Sequence, residues 1–150
     1  KVLIYDPFVK RKFKNTLHKI QNNSDIILSS MSYNKKNFNF FDWNFFKNLK
    51  KKPIFVNTSR GECVNEKDLI KALKLKKILF AAVDVIKNEQ SIMNKKNTLV
   101  EYSKNNNNLI VTPHIAGLTF ESEKIAANIT ISNLVNFFMN KDKKNKILIN

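Results

Sequence analysis

The sequence predicts an α/β fold with a doubly wound parallel sheet that is incomplete at its N-terminal end. The first observation is an alternation, because short apolar runs are separated by amphipathic segments, as in the βα units of a parallel sheet. The second is that residues able to do chemistry follow the strands, where open parallel sheets bind their ligands. The predicted strands are Val2–Tyr5, Asp25–Ser29, Ile54–Asn57, Leu79–Val85 and Leu109–Thr112.

Two of these strands carry further information. The run Leu79–Val85 (LFAAVDV) is apolar almost throughout, which predicts a strand covered on both faces. The chain opens directly on Val2–Tyr5, without a methionine or a lead-in, so we expect further protein upstream of Lys1.

Cap residues mark where the helices begin. Asp42 and Asn65 each precede an amphipathic run, and their side chains can accept hydrogen bonds from the first free N–H groups of a helix. The longest helix is predicted over about Thr119–Met139. Lys87–Asn108 is predicted to be a long loop carrying a short helix near Leu99–Ser103. Long ordered loops in α/β proteins are usually functional.

Composition limits the kinds of protein this can be. With 150 residues, 43% of them hydrophobic, the chain is long enough for one domain with a packed core. No apolar run approaches the ~20 residues that span a bilayer, and no signal peptide opens the chain. The single cysteine, Cys63, cannot form an internal disulfide, which is typical of a reducing compartment. We therefore expect a soluble, cytoplasmic protein that binds no membrane.

The net charge of +15 raises the question of nucleic-acid binding. The lysines are spread over almost every segment and are mixed with asparagines, and Arg11 and Arg60 are the only arginines. A basic nucleic-acid module would favour a concentrated basic stripe, whereas A·T-rich codon usage produces this dispersed pattern. We therefore expect no nucleic-acid partner.

The residues that follow the predicted strands form a candidate site. They comprise Asp6, Asn57, Thr58, Ser59, Arg60, Gly61, Asp84, Glu89 and His114. Because the carboxyl ends of parallel strands share one edge of the sheet, these side chains are predicted to converge there. Taken alone, His114 is better explained as a strand cap than as a catalyst. The acids and Arg60 at the same edge favour an acid–base role instead.

Three segments carry a family resemblance. They are VNTSRGECVNE (Val56–Glu66), AAVDV (Ala81–Val85) followed by Glu89, and VTPHIAG (Val111–Gly117). In this order and approximate spacing the chain resembles the D-isomer-specific 2-hydroxyacid dehydrogenases, of the phosphoglycerate-dehydrogenase-like kind. The resemblance implies a partial, Rossmann-like NAD-binding domain over residues 1–140. It also implies that residues 141–150 are a tail returning towards an absent substrate domain.

The resemblance implies catalytic roles for three residues. Arg60 would hold the substrate carboxylate and polarise the adjacent carbonyl, because a guanidinium donates two parallel hydrogen bonds and keeps its charge. His114 would be the general acid–base, with Glu89 bound to its other ring nitrogen. Gly61 would let the backbone turn where a Cβ would clash.

The implied cofactor is NAD. Asp6 would accept hydrogen bonds from the adenosine ribose hydroxyls, which disfavours a 2′-phosphate and hence NADP. Thr58 and Ser59 would lie along the cofactor, and Asp84 beside the nicotinamide carboxamide. Gly117 would also belong to the cofactor site, turning the chain into the last helix.

The sequence departs from the family pattern at three points. Gln90 stands where the family usually has proline, and Ser30–Ser32 stand where it often has His-x-Pro. The glycine-rich phosphate loop should precede Asp6 by about 20 residues, and it is not in this sequence, whose only glycines are Gly61 and Gly117. The chain by itself is therefore expected to bind NAD weakly and to turn over little.

The activity implied for the intact protein is NAD-dependent oxidoreduction. A 2-oxo acid and a D-2-hydroxy acid would be interconverted by hydride transfer, in an enzyme expected to be a homodimer. The alternative is a catalytically silent NAD-binding or scaffold protein of the same fold. Which 2-hydroxy acid is used stays open, because the family builds the substrate side-chain pocket largely from its other domain.

Overall fold

The computed structural model describes residues 1–6, 16–89 and 97–139, and the chain divides into two compact units, Lys1–His114 and Ile115–Asn150. In the first unit, parallel strands form a sheet in the order β1-β2-β3-β4. They are β1 (Ile26–Ser29), β2 (Ile54–Asn57), β3 (Phe80–Val83) and β4 (Leu109–Val111). The predicted parallel α/β sheet is confirmed, and these four strands lie within two residues of their predicted bounds.

The strand register aligns the carboxyl ends of the strands. Ser29 pairs with Asn57, Asn57 with Val83, and Val83 with Val111. The segments that follow the strands therefore leave the sheet along one edge, which is where an open parallel sheet binds its ligands.

Helices α1 (Leu17–Asn23), α2 (Trp43–Lys47), α3 (Glu66–Lys74) and α4 (Thr98–Lys104) accompany the sheet. Both predicted caps are confirmed. The Asp42 carboxylate accepts a hydrogen bond from Phe45 N–H at 2.9 Å, and the Asn65 side-chain oxygen accepts one from Asp68 N–H at 3.3 Å. Helix α4 confirms the predicted short helix, whereas α1 has no counterpart among the predicted elements.

Phenylalanines dominate the core of the first unit. Phe55 of β2 is fully buried and contacts Phe41 and Phe46 edge-to-face, with ring centroids 4.9 and 5.4 Å apart. Phe45 contacts Phe41 at 4.8 Å in the same way, and Leu69 of α3 is fully buried in this cluster. Edge-to-face aromatic pairs stabilise a core beyond the area they bury. This packing holds the sheet and the starts of α2 and α3 together.

Only one face of the sheet is well covered among the described residues. In β3, Ala81 and Val83 are buried, whereas Phe80 and Ala82 are half-buried, and β1 alternates in the same way. The expectation that Leu79–Val85 is covered on both faces is therefore wrong for the described residues. The reason is topological. The strand order advances in a single direction, and right-handed crossovers then place the connecting helices on the same face.

The predicted first strand does not form in the described chain. Val2–Tyr5 pairs with no described strand, and Val2 and Ile4 are 84% and 46% exposed. In a doubly wound sheet the strand that ends in the ribose acid pairs with the strand of the glycine-rich loop, which this sequence does not contain. Tyr5 instead stacks on Phe40, with ring centroids 6.3 Å apart.

The second unit contains α5 (Phe120–Met139), which confirms the predicted long helix. The Thr119 hydroxyl accepts a hydrogen bond from Ser122 N–H at 3.2 Å at the start of this helix. Within residues 1–6, 16–89 and 97–139, no helix combines the length and apolarity needed to cross a membrane. The predicted tail, residues 141–150, and Gln90 lie outside the described residues.

Candidate active site

A buried hydrogen-bond network shapes the loop after β2. Asn57 is fully buried, and its Oδ1 accepts hydrogen bonds from Ser59 N–H at 3.1 Å and from the Ser59 hydroxyl at 2.7 Å. Its amide Nδ2 donates to the Arg60 carbonyl oxygen at 3.2 Å. The Ser59 hydroxyl also lies 2.9 Å from that of Ser29, at the end of β1. Buried polar groups that satisfy one another in this way rigidify a loop, so the network fixes the backbone that presents Arg60.

Gly61 allows this loop to touch the loop after β3. A Cβ on Gly61 would lie 2.1 Å from the carbonyl carbon of Ile86 and 2.5 Å from the backbone nitrogen of Lys87. Gly61 does not have a positive φ, so the close approach of two backbones is what requires glycine. This geometry agrees with the sequence-based interpretation of Gly61 as a site where a Cβ would clash.

The loop after β3 folds back on itself through Glu89. Its Oε1 accepts a hydrogen bond from Ile86 N–H at 2.9 Å. Asn88, directly before it, has a φ of 55°, in the left-handed region that asparagine adopts more readily than most residues. The other carboxylate oxygen, Oε2, lies 2.8 Å from Nδ1 of His114. One carboxylate thus links the loop after β3 to the histidine after β4.

Backbone contacts hold His114 in place beyond β4. Its N–H donates to the carbonyl oxygens of Asp84 at 2.9 Å and Thr112 at 3.0 Å, and its φ is 56°. A left-handed non-glycine residue is strained by about 1–3 kcal/mol, and such residues cluster at functional sites. A carboxylate accepts hydrogen bonds and donates none, so its contact with Glu89 puts the hydrogen of a neutral imidazole on Nδ1. The ring then presents Nε2 for chemistry.

A cavity of about 540 Å³ brings the three predicted catalytic residues together. Its lining consists of Arg60, Gly61, Glu62, Ile86, Asn88, Glu89 and His114. The His114 and Glu89 side chains are 50% and 32% exposed, so solutes can reach both. One guanidinium N–H of Arg60 donates to the Ser59 carbonyl oxygen at 2.7 Å, which orients the group. A cation and an acid–base pair on one cavity can bind an anion and move a proton.

The residues predicted to bind the cofactor do not line this cavity. Thr58 is exposed at the end of β2, and Asp6 follows Tyr5, which stacks on Phe40. Ser59 is buried with its hydroxyl turned into the Asn57 network. Their roles at a cofactor remain predictions.

Asp84 and Gly117 complete the predicted cofactor set. Asp84 is buried, and its Oδ1 accepts a hydrogen bond from the Thr112 hydroxyl at 2.5 Å. Gly117 belongs to the second unit, where it does not have a positive φ and an added Cβ would meet nothing within 4 Å. The local backbone thus does not itself require glycine at position 117. Both roles also remain predictions.

Burial shifts the pKa values of two groups near the site. It lowers the pKa of the Lys87 amine, an effect that Glu66 and other nearby carboxylates oppose. It raises the pKa of the Cys63 thiol, against a hydrogen bond to Ser59. The Lys87 amine bonds the Asn39 side-chain oxygen and lies 4.7 Å from the centre of the Phe38 ring. Neither Lys87 nor Cys63 lines the cavity, so both belong to the framework of the loops that do.

Three residues that shape the site were assigned no functional role from the sequence. Asn57 organises the loop that carries Arg60. The sequence feature that could have indicated this is a polar amide at the end of an apolar strand. Asn88 takes a left-handed conformation, for which asparagine itself is the signal. Glu66 bonds the loop after β3, and no sequence signal marks that contact, because an acid in the first turn of a helix is already explained by the helix dipole.

An open parallel sheet with a polar cavity formed by the loops beyond its strands is the architecture of the α/β, Rossmann class. A family model described as "D-isomer specific 2-hydroxyacid dehydrogenase, NAD binding domain" matches residues 1–116. The chain belongs to this family, and the resemblance found in the sequence is confirmed.

Curated relatives agree with this assignment. A protein of Staphylococcus saprophyticus with the provisional name 2-hydroxyacid dehydrogenase is 38% identical over 124 residues, covering 80% of this chain and 37% of the relative. A Staphylococcus aureus protein of the same provisional name is 38% identical over 114 residues, covering 73% of this chain and 34% of the relative. The chain thus spans about a third of the length of these relatives.

Solved structures show the same fold. D-lactate dehydrogenase with NAD⁺ from Lactobacillus jensenii superposes with a TM-score of 0.68 at 28% identity, covering 91% of this chain and 43% of that one. The apo form of D-mandelate dehydrogenase from Rhodotorula graminis gives a TM-score of 0.66 at 28% identity, covering 82% and 34%. The similarity extends over most of this chain and less than half of either enzyme.

Proposed function

We propose that this chain is the part of an NAD-dependent 2-hydroxyacid dehydrogenase that carries the acid–base pair. The reaction is the interconversion of a 2-oxo acid and a D-2-hydroxy acid. The observation that supports it most strongly is the 2.8 Å contact between His114 Nδ1 and Glu89 Oε2, on the cavity that Arg60 also lines. Membership of the family supports the same reaction.

Each of the three side chains has one task in this proposal. Arg60 binds the substrate carboxylate, since a guanidinium matches a carboxylate with two parallel hydrogen bonds. In the reductive direction, the protonated His114 donates a proton from Nε2 to the carbonyl oxygen, and in the oxidative direction Nε2 takes the hydroxyl proton back. Glu89 holds the ring through Nδ1, which fixes its orientation and leaves Nε2 to face the substrate.

NAD is the proposed cofactor, and the chemistry it supplies when bound is donation or acceptance of the hydride at the substrate carbon. The exposed Thr58, directly after β2 at the carboxyl edge of the sheet, offers a hydroxyl that fits a dinucleotide. Asp6 would bind the adenosine ribose. The others proposed to hold the cofactor are Thr58, Ser59, Asp84 and Gly117.

The remaining expectations form part of the same proposal. Residues 1–140 are proposed to be a partial NAD-binding domain, and residues 141–150 the return towards a substrate domain. We propose that the intact protein is a cytoplasmic homodimer whose small-molecule partner is a 2-oxo or 2-hydroxy acid. No nucleic acid or membrane takes part in this function.

The test uses the full-length protein with NADH and a panel of small 2-oxo acids, followed by NADH absorbance. Wild-type protein is expected to turn over at least one of these acids, and His114→Ala is expected to lower kcat by roughly 10²- to 10⁴-fold, the usual contribution of a general acid–base. The matched control is His18→Ala, which removes the exposed histidine of α1 and should leave kcat unchanged.

Two outcomes would overturn the proposal. Undiminished turnover by His114→Ala would remove the acid–base role. NADH binding detected by fluorescence, without turnover on the whole panel, would favour the catalytically silent NAD-binding protein instead. Two departures from the family pattern allow this second outcome: Gln90 in place of proline, and Ser30–Ser32 in place of His-x-Pro.

A further inference from the structure

We propose that Glu66 is a positioning residue for the His114–Glu89 pair, acting through the loop that carries Glu89. The inference rests on the proposed dehydrogenase function. Glu66 is the first residue of α3, is half-buried and does not line the cavity, so it does not touch the reacting groups itself.

The Glu66 carboxylate gathers hydrogen bonds from two separate segments. Oε1 accepts from Lys87 N–H at 2.9 Å and from the Asn97 side-chain amide at 3.0 Å. Oε2 accepts from the same amide at 3.1 Å and from the Thr98 hydroxyl at 3.1 Å. One carboxylate therefore fixes the loop after β3 and the start of α4.

A short chain of contacts leads from Lys87 to the histidine. Its neighbours Ile86 and Asn88 both line the cavity, and Ile86 N–H donates to Glu89 Oε1 at 2.9 Å. Glu89 Oε2 in turn lies 2.8 Å from His114 Nδ1. A shift of the Lys87 backbone would therefore displace Ile86, whose N–H holds the Glu89 carboxylate, and Asn88, which directly precedes Glu89 in the chain.

The helix dipole does not account for this arrangement. An acid in the first turn of α3 is favoured by the dipole wherever its side chain points, and Asp68 in the same turn meets that preference as well. The Glu66 carboxylate is instead directed at donors on the loop after β3 and at the start of α4. Hydrogen bonds to a carboxylate are stronger than those between neutral groups, which suits a residue that must hold a loop.

Asp68 also supplies the matched control. Its Oδ2 accepts a hydrogen bond from Trp43 N–H at 2.9 Å, so it ties α3 to α2 rather than to the loop after β3. Glu66→Ala and Asp68→Ala each remove one first-turn carboxylate and its bond to a backbone N–H of another segment. Only the Glu66 change releases the loop that carries Glu89.

The experiment measures kcat, KM and thermal stability of the full-length protein for Glu66→Ala, Glu66→Gln and Asp68→Ala. Misplacement of a catalytic group by about 1 Å can lower a rate by ~10²-fold, so Glu66→Ala should lower kcat roughly 10- to 100-fold. KM should change less than kcat, because Arg60 remains in place. Glu66→Gln keeps one oxygen that can accept from Lys87 N–H and should restore most of kcat. Asp68→Ala should lower the melting temperature comparably while leaving kcat near wild type.

Two results would overturn the inference. One is a Glu66→Ala variant that keeps the wild-type kcat, and the other is an equal loss of kcat in Glu66→Ala and Asp68→Ala, which would indicate a general effect on stability. If Glu66→Ala does not fold, Glu66→Asp takes its place. That variant keeps the negative charge at the helix start and shortens the reach to Lys87, so it should show the same loss of kcat.

A spectroscopic readout separates this inference from the proposed function. The proton between His114 Nδ1 and Glu89 should give a low-field NMR signal whether or not the protein turns over a 2-oxo acid. If the wild type is inactive, the proposed function fails, and the positioning role is decided by this signal. It should persist in Asp68→Ala and be lost or shifted in Glu66→Ala, and its persistence unchanged in Glu66→Ala would overturn the inference.

Discussion

In the core, Phe55 is held by edge-to-face contacts with Phe41 and Phe46, whereas at the carboxyl edge His114 is held by directed hydrogen bonds. The core residues are fully or almost fully buried, and the edge residues are partly exposed. Contacts between apolar rings depend on area and shape, while the contacts at the edge depend on particular atoms.

The two regions also differ in their backbone. His114 and Asn88 at the edge are both left-handed, at φ values of 56° and 55°, whereas no buried phenylalanine in the described part of the chain has a positive φ. Strain of this kind persists only where the surroundings over-determine it. The comparison predicts that core substitutions change stability with little effect on chemistry, and that edge substitutions do the reverse.

The largest expected effect is in the core, with Phe55→Ala. Removing a fully buried phenylalanine leaves a cavity and should lower the free energy of unfolding by about 3–5 kcal/mol. Urea unfolding of the full-length protein measures this, with Leu75→Ala, at a residue that is 58% exposed, as the control that should change little. The kcat of the remaining folded protein should stay at the wild-type value. A fall in kcat without a loss of stability would break the division between core and edge.

At the edge, Glu89→Gln tests whether a substitution lowers kcat with little effect on stability. The amide keeps the size of the side chain and can still accept from Ile86 N–H, but it removes the charge beside His114 Nδ1. We expect kcat to fall by roughly 10²-fold, which corresponds to about 2.7 kcal/mol of transition-state stabilisation. The free energy of unfolding should change by less than in Phe55→Ala.

The control for Glu89→Gln is Glu101→Gln, which neutralises an acid of α4 that pairs with Lys104 at 2.8 Å. Steady-state assays should give this control the wild-type kcat. If both variants lose the same activity, the effect of Glu89 reflects overall charge rather than its contact with the histidine.

The comparison also explains how much the sequence could predict. The alternation of apolar runs was enough to place four strands and the α2, α3, α4 and α5 helices, because periodicity and caps are local signals. It failed for Val2–Tyr5, since a strand exists only through a partner and no described strand pairs with this segment. The prediction that β3 is covered on both faces also failed, because the covering depends on the direction in which successive crossovers advance along the sheet.

For the site, the resemblance supplied residues and the structure supplied contacts. Arg60, Glu89 and His114 were expected at one edge, and the structure brings all three to one cavity. The Ser29–Ser59 contact that joins the Asn57 network to β1 and the contacts of Glu66 link residues far apart in the sequence, and no local pattern encodes such partners. Whether Asp6, Thr58, Ser59, Asp84 and Gly117 bind NAD is a property of the complex and stays a prediction.

A smaller effect is expected from the left-handed residue beside Glu89. Asn88→Ala places a residue with a weaker left-handed preference at a φ of 55°, which should lower stability by roughly 1 kcal/mol and kcat severalfold. Asn88→Gly adopts this φ without strain and should keep more of kcat than Asn88→Ala.

Lys76→Gly is the matched control for the Asn88 variants, because Lys76 has a φ of 53° in the turn after α3 and does not line the cavity. It should gain a little stability without any change in kcat, as measured by urea unfolding and steady-state assays. Equal kcat values for Asn88→Ala and Asn88→Gly would show that the edge does not depend on this backbone conformation.

The smallest effect concerns Cys63, which lies in the core yet contacts the edge through Ser59. Burial raises the pKa of its thiol above the ordinary value of 9.0, so the folded protein keeps the proton at a pH where the unfolded chain has lost it. The unfolded state then binds fewer protons, and stability that is fully present below pH 9.0 decreases as the pH rises above it. Urea unfolding between neutral and alkaline pH should therefore show a steeper loss of the free energy of unfolding for wild type than for Cys63→Ala.

The accessibility of Cys63 gives a second test. A thiol reagent should label the native protein only as fast as it unfolds, because the thiol is fully buried and the thiolate is the reactive form. Rapid labelling of the folded protein would place Cys63 with the accessible edge rather than with the core.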